Sequence, residues 1–304
     1  MLSRDRLVGI YRDVRDRLNN AAVEERTLEA LGKVLTTQVQ AKSAISSLHD
    51  VEFRIYSQWG DDGIIQWLVH QLPGLPKRFV EFGVDNYMES NTRFLMVNNN
   101  WSGLVMDGSA EKIRWLTRRK WFWRYDLTAV HAFVTTDNVD TLISDWASGG
   151  EVGLLHIDVD GTDYWLWKAV TSITPPVVIV EYNALFGPER AITIPYAANF
   201  RRHAAHYSGQ YAGASLAALT HLAGEKGYAL IGTNGAGNNA YFVRRDWFTQ
   251  ELPSIQTTEA FTASKFRDSR DARGALNYKS YRDRVESIKG MPVYDVIADR
   301  VEPF

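Results

Sequence analysis

The chain has 304 residues, 45 % hydrophobic and 23 % charged, with a formal net charge of −2. This is the profile of a globular protein of one large domain or two modest ones, with no global field to draw nucleic acid or an anionic membrane. The absence of cysteine excludes disulfides, thiolate catalysis and Cys-ligated zinc. No stretch approaches the ~20 apolar residues that span a bilayer, and the charged start MLSRDRLVGIYRDVRDRL is unlike a signal peptide, so a cytoplasmic location is expected.

Residues 1–50 carry apolar positions at helical spacing, Leu7, Ile10, Val14 and Leu18, then Leu28, Leu31, Val34 and Leu35. They predict two helices, forming either a cap over the main domain or an arm through which a homodimer assembles. From Val51 an extended segment and a Gly/Asp turn lead into a helix that Pro73 ends. Strands then alternate with helices. Strands are expected at 78–84, 102–107, 130–136, 152–159 and 177–183, and helices at 91–99, 110–119, 138–147 and 163–172. A long loop precedes a helix at 214–226, and strands at 228–234 and 239–244 flank the Gly/Asn turn TNGAGNNA. Such alternation predicts a doubly wound α/β fold, with a mainly parallel seven-stranded sheet covered on both faces and an antiparallel strand from the terminal hairpin. Residues 247–304 show no clear period and read as a tail packed on the body or on a partner subunit.

The segment from Arg78 to Asp107 is a strand, a loop opening on Glu81 and Gly83, a helix, and a second strand ending on an acid. Units of this kind bind the adenosine end of a cofactor. The loop GVDNYMESNT lacks the glycines that let a backbone close on a pyrophosphate, and Asp85 and Glu89 put negative charge where a diphosphate would sit. This disfavours NAD or FAD and suits a cationic adenosine cofactor, S-adenosylmethionine. Glu81 would anchor the loop or the amino acid end. Asp107 would accept from ribose hydroxyls, or serve only as a helix N-cap. Asp137 and Asn138, after the third strand, would face the adenine amino group.

A second acidic constellation follows the fourth strand, in LLHIDVDGTDYW, where Asp158 and Asp160 share a face and Asp163 lies one turn away. The fifth strand ends on Glu181 and Asn183. Strand ends in an open parallel sheet are where ligands bind, and several oxygen ligands of this kind suit Mg²⁺ or Ca²⁺ rather than zinc. Without a metal, crowding would raise one carboxylate pKa and make it a general base. Helix capping by Asp158 and Asp163, with Asp160 on loop amides, is the structural alternative. His156 falls on the same side by period two, as a catalytic group or as a satisfied core histidine. His203 and His206 lie in a loop able to cover the site and supply Tyr207, Gln210 or Tyr211.

Taken in order, VEFGV…SNTRFL, VMDGS, HIDVDGTDYW and VIVEYN resemble class I S-adenosylmethionine-dependent methyltransferases over about residues 51–246. SQWGDDG and IDVDG are most similar to the FkbM-type group and the metal-dependent sugar O-methyltransferases. The resemblance implies that Glu81, Gly83 and Asp107 hold the cofactor, with Asn91 of the SNTRFL motif, and that Ser57, Gln58 and Gly60 lie beside it. It places Asp158 and Asp160 at an acidic, metal-binding position after strand four. After strand five, where the metal-dependent enzymes carry paired acids, this chain has Glu181-Tyr182-Asn183, and the second glycine of the cofactor loop is also missing. The expected activity is O-methylation of a sugar, glycan or glycosylated metabolite, with Mg²⁺ assisting. The alternatives are a non-catalytic module keeping this fold for binding or assembly, and an NAD-dependent oxidoreductase.

Overall fold

In the computed structural model, residues 23–253 and 255–304 are described; the helix expected around Leu7 to Leu18 lies outside them. Residues 23–40 form helix α1. Several of its apolar residues lie off its inner face. Leu28, Leu31 and Val34 are 42 %, 49 % and 56 % exposed, while Gly32, Thr36 and Val39 are buried. Polar contacts explain the rotation. Glu25 pairs with the buried Arg93 at 2.7 Å, and Tyr56 Oη donates to Glu29 at 2.9 Å. At Gly32 an added Cβ would meet the Phe94 ring at 2.6 Å, so glycine lets α1 press against the body.

The body alternates as the hydrophobic pattern predicts. Helix α2 (Asp61–Gln71) leads into β1 (Arg78–Phe82), α3 (Arg93–Asn99), β2 (Ser102–Asp107), α4 (Ala110–Thr117), β3 (Leu127–His131) and α5 (Val139–Ala147). Then come β4 (Leu154–Ile157), α6 (Asp163–Ala169), β5 (Val177–Glu181), a short β6 (Ile192–Thr193), α7 (Arg202–Ala205), α8 (Leu216–Glu225), β7 (Tyr228–Thr233) and β8 (Asn239–Arg244). The main sheet runs β3-β2-β1-β4-β5-β8-β7. Pairings from β3 to β5 are parallel, and β8 is antiparallel to both its neighbours. This is the doubly wound, mainly parallel arrangement with an antiparallel terminal hairpin strand that the alternation predicts.

Alternation along the strands explains the two faces. Val80, Phe82, Leu155, Ile157, Val178 and Val180 pack under α5, α6 and α8, whereas Phe79, Leu154, Val177 and Ile179 pack against α2 and α3. Both faces being covered, the strands read as continuous apolar runs. The order reverses between β1 and β4, opening a crevice at their carboxyl ends.

One strand differs in place. The third strand was expected at 130–136, but Leu127 to His131 pair with Gly103 to Asp107. The run after His131 is loop, so Asp137 is exposed in the turn before α5 rather than at a strand exit. The tail also has more structure than its composition suggests. Helices α9 (Thr257–Ala260) and α10 (Tyr281–Ser287) precede β9 (Pro292–Asp295) and β10 (Arg300–Pro303), which join β6 in an antiparallel sheet on the body.

The β7–β8 turn is held by Asn234, buried, whose Oδ1 accepts from the amides of Gly237, Asn238 and Asn239. Its Nδ2 donates to Asp61 at the start of α2 at 3.0 Å. Asn234→Ala leaves several buried partners unmatched, so urea denaturation should show a loss of about 2–4 kcal/mol.

Candidate active site

The site begins with a carboxylate inside the fold. Glu81 on β1 is opposite His156 on β4 in the sheet register. The residue is 2 % exposed, and its side chain accepts from Ser90 Oγ (2.6 Å), the amides of Asn91 (3.2 Å) and Thr92 (3.3 Å), Thr92 Oγ1 and His156 Nδ1 (2.8 Å). Burial pushes the Glu81 pKa up, but the hydrogen bond and charge of His156 with the hydroxyl donors outweigh it and hold the group below the usual range. Burial acts to lower the His156 pKa, and its bond to Glu81 raises it overall. His156 Nε2 faces Asn91 Nδ2 at 3.1 Å. Both ring nitrogens are thus engaged within the protein, and Glu81 and Asn91 are loop anchors.

Gly83 has φ +74°, and an added Cβ would fall 1.5 Å from the Asp158 carbonyl oxygen. Glycine is required there by the close approach of the β4 exit. The loop continues through Asp85 and Tyr87, both at positive φ. Asp107 closes β2 and fixes this turn: Oδ2 accepts from the Asp85 amide at 2.9 Å, and Oδ1 from Ser109 at 2.7 Å. Partial burial raises its pKa, and each oxygen keeps further lone-pair capacity.

Two connected spaces lie on this edge. One, about 200 Å³, is bounded by Asp107, Gly108, Phe133, Val134 and Phe200; the other, about 730 Å³, runs from Gln58 and Trp59 past Glu81 and Asn91 to Glu181. Gly83, Asp85, Asp158 and Asp160 border both. Ser57 lies beneath rather than in the wall: it is fully buried, and its amide and hydroxyl donate to Asp62, at 2.8 and 3.0 Å. Gln58 lines the larger space, whereas Asp137 borders neither.

Asp158, Asp160 and Glu181 each bring an oxygen within 4.8 Å of the others. Desolvation in the cleft, then repulsion by Asp160, pushes the Asp158 pKa up to about 7. Glu181 is raised well above its usual range by desolvation and then by Asp158. Two expected members stand apart. Asp163 accepts from the amides of Val159 (2.8 Å) and Gly161 (3.0 Å), shaping the loop in which Asp160 takes φ +59° and the strand alternation ends. Asn183 is not with the acids in the structure. Its Nδ2 donates to the carbonyls of Gln210 and Ala212 at 2.9 Å, and its Oδ1 caps Leu185.

The structure also brings in residues that no strand pattern announced. Arg202 binds Asp160 at 2.7 Å and stands 3.9 Å from Asp268. Trp59 stacks on Phe266, ring centroids 6.1 Å apart and planes 17° apart. Phe266, Asp268 and Arg202 all line the larger cavity. The only sequence signal was the basic run around Arg202; Phe266 and Asp268 sit in a polar tail with no period.

No protein-family model matches this chain, and no curated protein matches it in sequence. Solved structures similar to it include the CurJ carbon methyltransferase, with 11 % identity and a TM-score of 0.37 over 62 % of this chain and 55 % of that one. An S-adenosylmethionine-dependent methyltransferase from Clostridium acetobutylicum has 9 % identity and a TM-score of 0.38, over 60 % and 90 % of the two chains. An O-methyltransferase family protein from Burkholderia thailandensis has 7 % identity and a TM-score of 0.36, over 67 % and 59 %. The chain spans about half the length of the CurJ structure. Likeness at this level assigns no activity or substrate. No helix among the described residues is long and apolar enough to cross a membrane.

Because Gly83 joins positive φ to an impossible Cβ position, Gly83→Ala should cost at least about 2 kcal/mol. Chemical denaturation measures this, and an unchanged midpoint would remove the glycine from its packing role.

Proposed function

We propose that the chain is an S-adenosylmethionine-dependent O-methyltransferase whose acceptor hydroxyl is deprotonated at Asp158. The observation that carries this reading is the placement of the Asp158–Glu181 pair in the same cavity wall as Gly83, across the bordering loop from Asp107. The residues suit the cofactor. Asp107 retains acceptor capacity for ribose hydroxyls, and Phe133 and Val134 offer apolar surface for a base. When bound, S-adenosylmethionine supplies a methyl group made electrophilic by the sulfonium.

The chain's own part is positioning and one proton. Asp158 takes the hydroxyl proton as the oxygen becomes nucleophilic, and its raised pKa suits a base working near neutral pH. Glu181, whose pKa burial and then Asp158 raise, donates in its protonated form to Asp158 or to the acceptor. His156 acts at one remove, fixing Glu81 and Asn91 and thereby the cofactor loop. The acceptor reads as a sugar ring: the Trp59–Phe266 pair presents apolar surface for a pyranose face, and Asn238 and Asp268 on the same wall bond hydroxyls.

A divalent cation at Asp158, Asp160 and Glu181 fits less well than the sequence suggests. The Arg202 guanidinium already neutralises Asp160, burial and mutual repulsion raise the pKa values of Asp158 and Glu181 so that each binds a cation less readily, and Asn183 is committed elsewhere. Arg202 therefore stands as the resident cation in this reading, and methyl transfer should proceed unchanged in EDTA. Self-association belongs with the outward residues Leu28, Leu31 and Val34 of α1, exposed in the structure.

Calorimetry with S-adenosylhomocysteine tests the cofactor; no heat of binding would end this reading. Asp158→Asn should lower kcat by roughly 100- to 10,000-fold with S-adenosylhomocysteine affinity kept. The wild-type rate should rise with pH through about 7. Stability should move the other way. A carboxyl group whose folded pKa is raised weakens the fold progressively as pH climbs from its unfolded value near 4 towards 7. Asp158→Asn should therefore be more stable than wild type at pH 8, by on the order of 1–3 kcal/mol, the gap closing as pH falls.

A further inference from the structure

Arg284 on α10 is 1 % exposed, and among the described residues it has no carboxylate partner within 4.0 Å. Its terminal nitrogens donate to Ser264 Oγ and to the Ser264 carbonyl, both at 3.2 Å, and its Nε–H has no partner. Two contacts to one neutral serine need no charge. A guanidinium withdrawn from water without a counter-ion is costly to keep, and desolvation lowers the pKa of this one, with Asp268 offsetting part of the effect from a distance.

The side chain borders a cavity of about 40 Å³ together with Arg202, Glu181, Gln210, Ser264 and Phe266. Glu181, Arg202 and Phe266 also line the large cavity, so the two spaces share a wall next to Glu181. Burial and Asp158 raise the Glu181 pKa there. Arg202 is shared between Asp160 at 2.7 Å, the Gly209 carbonyl and Asp268 at 3.9 Å, so of the two Arg284 is the guanidinium without a carboxylate among the described residues. Two guanidiniums and a carboxamide thus converge on a small space. Its volume holds about three water-sized positions, near the size of a carboxylate and tight for a phosphate.

We propose that this cavity is a carboxylate subsite, in which Arg284 and Arg202, with Gln210 beside them, hold an acid group carried by the acceptor. The acceptor is then an acidic sugar of the uronate kind, its carboxylate seated against Arg284 and its reacting hydroxyl turned to Asp158. The acceptor half of this assignment rests on the methyltransferase reading; the anion site does not.

The test uses the full chain labelled with ¹⁵N-arginine, following the Arg284 Nε–H resonance, identified by its loss in Arg284→Lys. Sodium glucuronate, glucose, sodium acetate and inorganic phosphate are titrated at constant ionic strength. Glucuronate should move the resonance saturably and bind at least about tenfold more tightly than glucose or acetate, with that advantage lost in Arg284→Gln. An unmoved resonance, or glucuronate affinity unaltered by Arg284→Gln, overturns the site. Acetate matching glucuronate overturns the acceptor-borne assignment, and phosphate binding more tightly overturns the carboxylate. If Arg284→Gln does not fold, the wild-type titration alone decides. S-adenosylhomocysteine calorimetry on the same sample separates the outcomes: cofactor binding without a glucuronate response fails the subsite only, and no cofactor binding fails the methyltransferase reading.

Discussion

A buried carboxylate organises this protein. Glu81 sits on an interior strand, β1, with its oxygens filled by Ser90, Asn91, Thr92 and His156. A charge in that position is tolerable only when every lone pair is satisfied, and satisfying them fixes three things together. The loop after β1 must return to the strand, α3 must start at residue 93, and β4 must lie beside β1 with His156 facing Glu81. The crevice at the strand reversal is the open space left above that knot.

On this rigid floor the edge collects acids that do not stabilise the fold. Asp158 and Glu181 share a cleft in which their charged forms repel one another, and Arg202 and the loop amides offset only part of that. Such an arrangement costs stability and raises the pKa of both carboxyls. The wall facing it comes from far along the chain, Arg202 from the long loop and Phe266 and Asp268 from the tail. The tail is held by α10 and by the β6–β9 pairing. It is thus part of the site rather than an appendage.

Residue patterns gave good access to some of this and none to the rest. Apolar runs such as Val177–Glu181 are continuous because both sheet faces are covered, so the strands and their alternation with helices were legible. The third strand was misplaced because Leu127 and Ala129 lie in a mixed sequence, and pairing to β2 rather than local propensity decided its position. The inner face of α1 does not follow its aliphatic spacing because the Glu25–Arg93 ion pair and the Gly32–Phe94 contact turn Leu28, Leu31 and Val34 outward. Gly83 was legible as essential, but its reason, the Asp158 carbonyl, is a contact between strands.

By itself the sequence determined the fold class, the acid-bearing strand ends and the poor fit of the loop to a diphosphate, since these follow from periodicity and from charge at fixed offsets along one chain. Tertiary structure alone decided what those groups contact. It bonded His156 to Glu81 and Asn91, took Asn183 out of the acid cluster, and left Asp137 outside the cavity. It also carried Arg202, Phe266, Asp268 and Arg284 to the site. The reason is physical: a hydrogen bond or an ion pair depends on distances of a few ångströms between residues remote in sequence, and no local pattern encodes those distances.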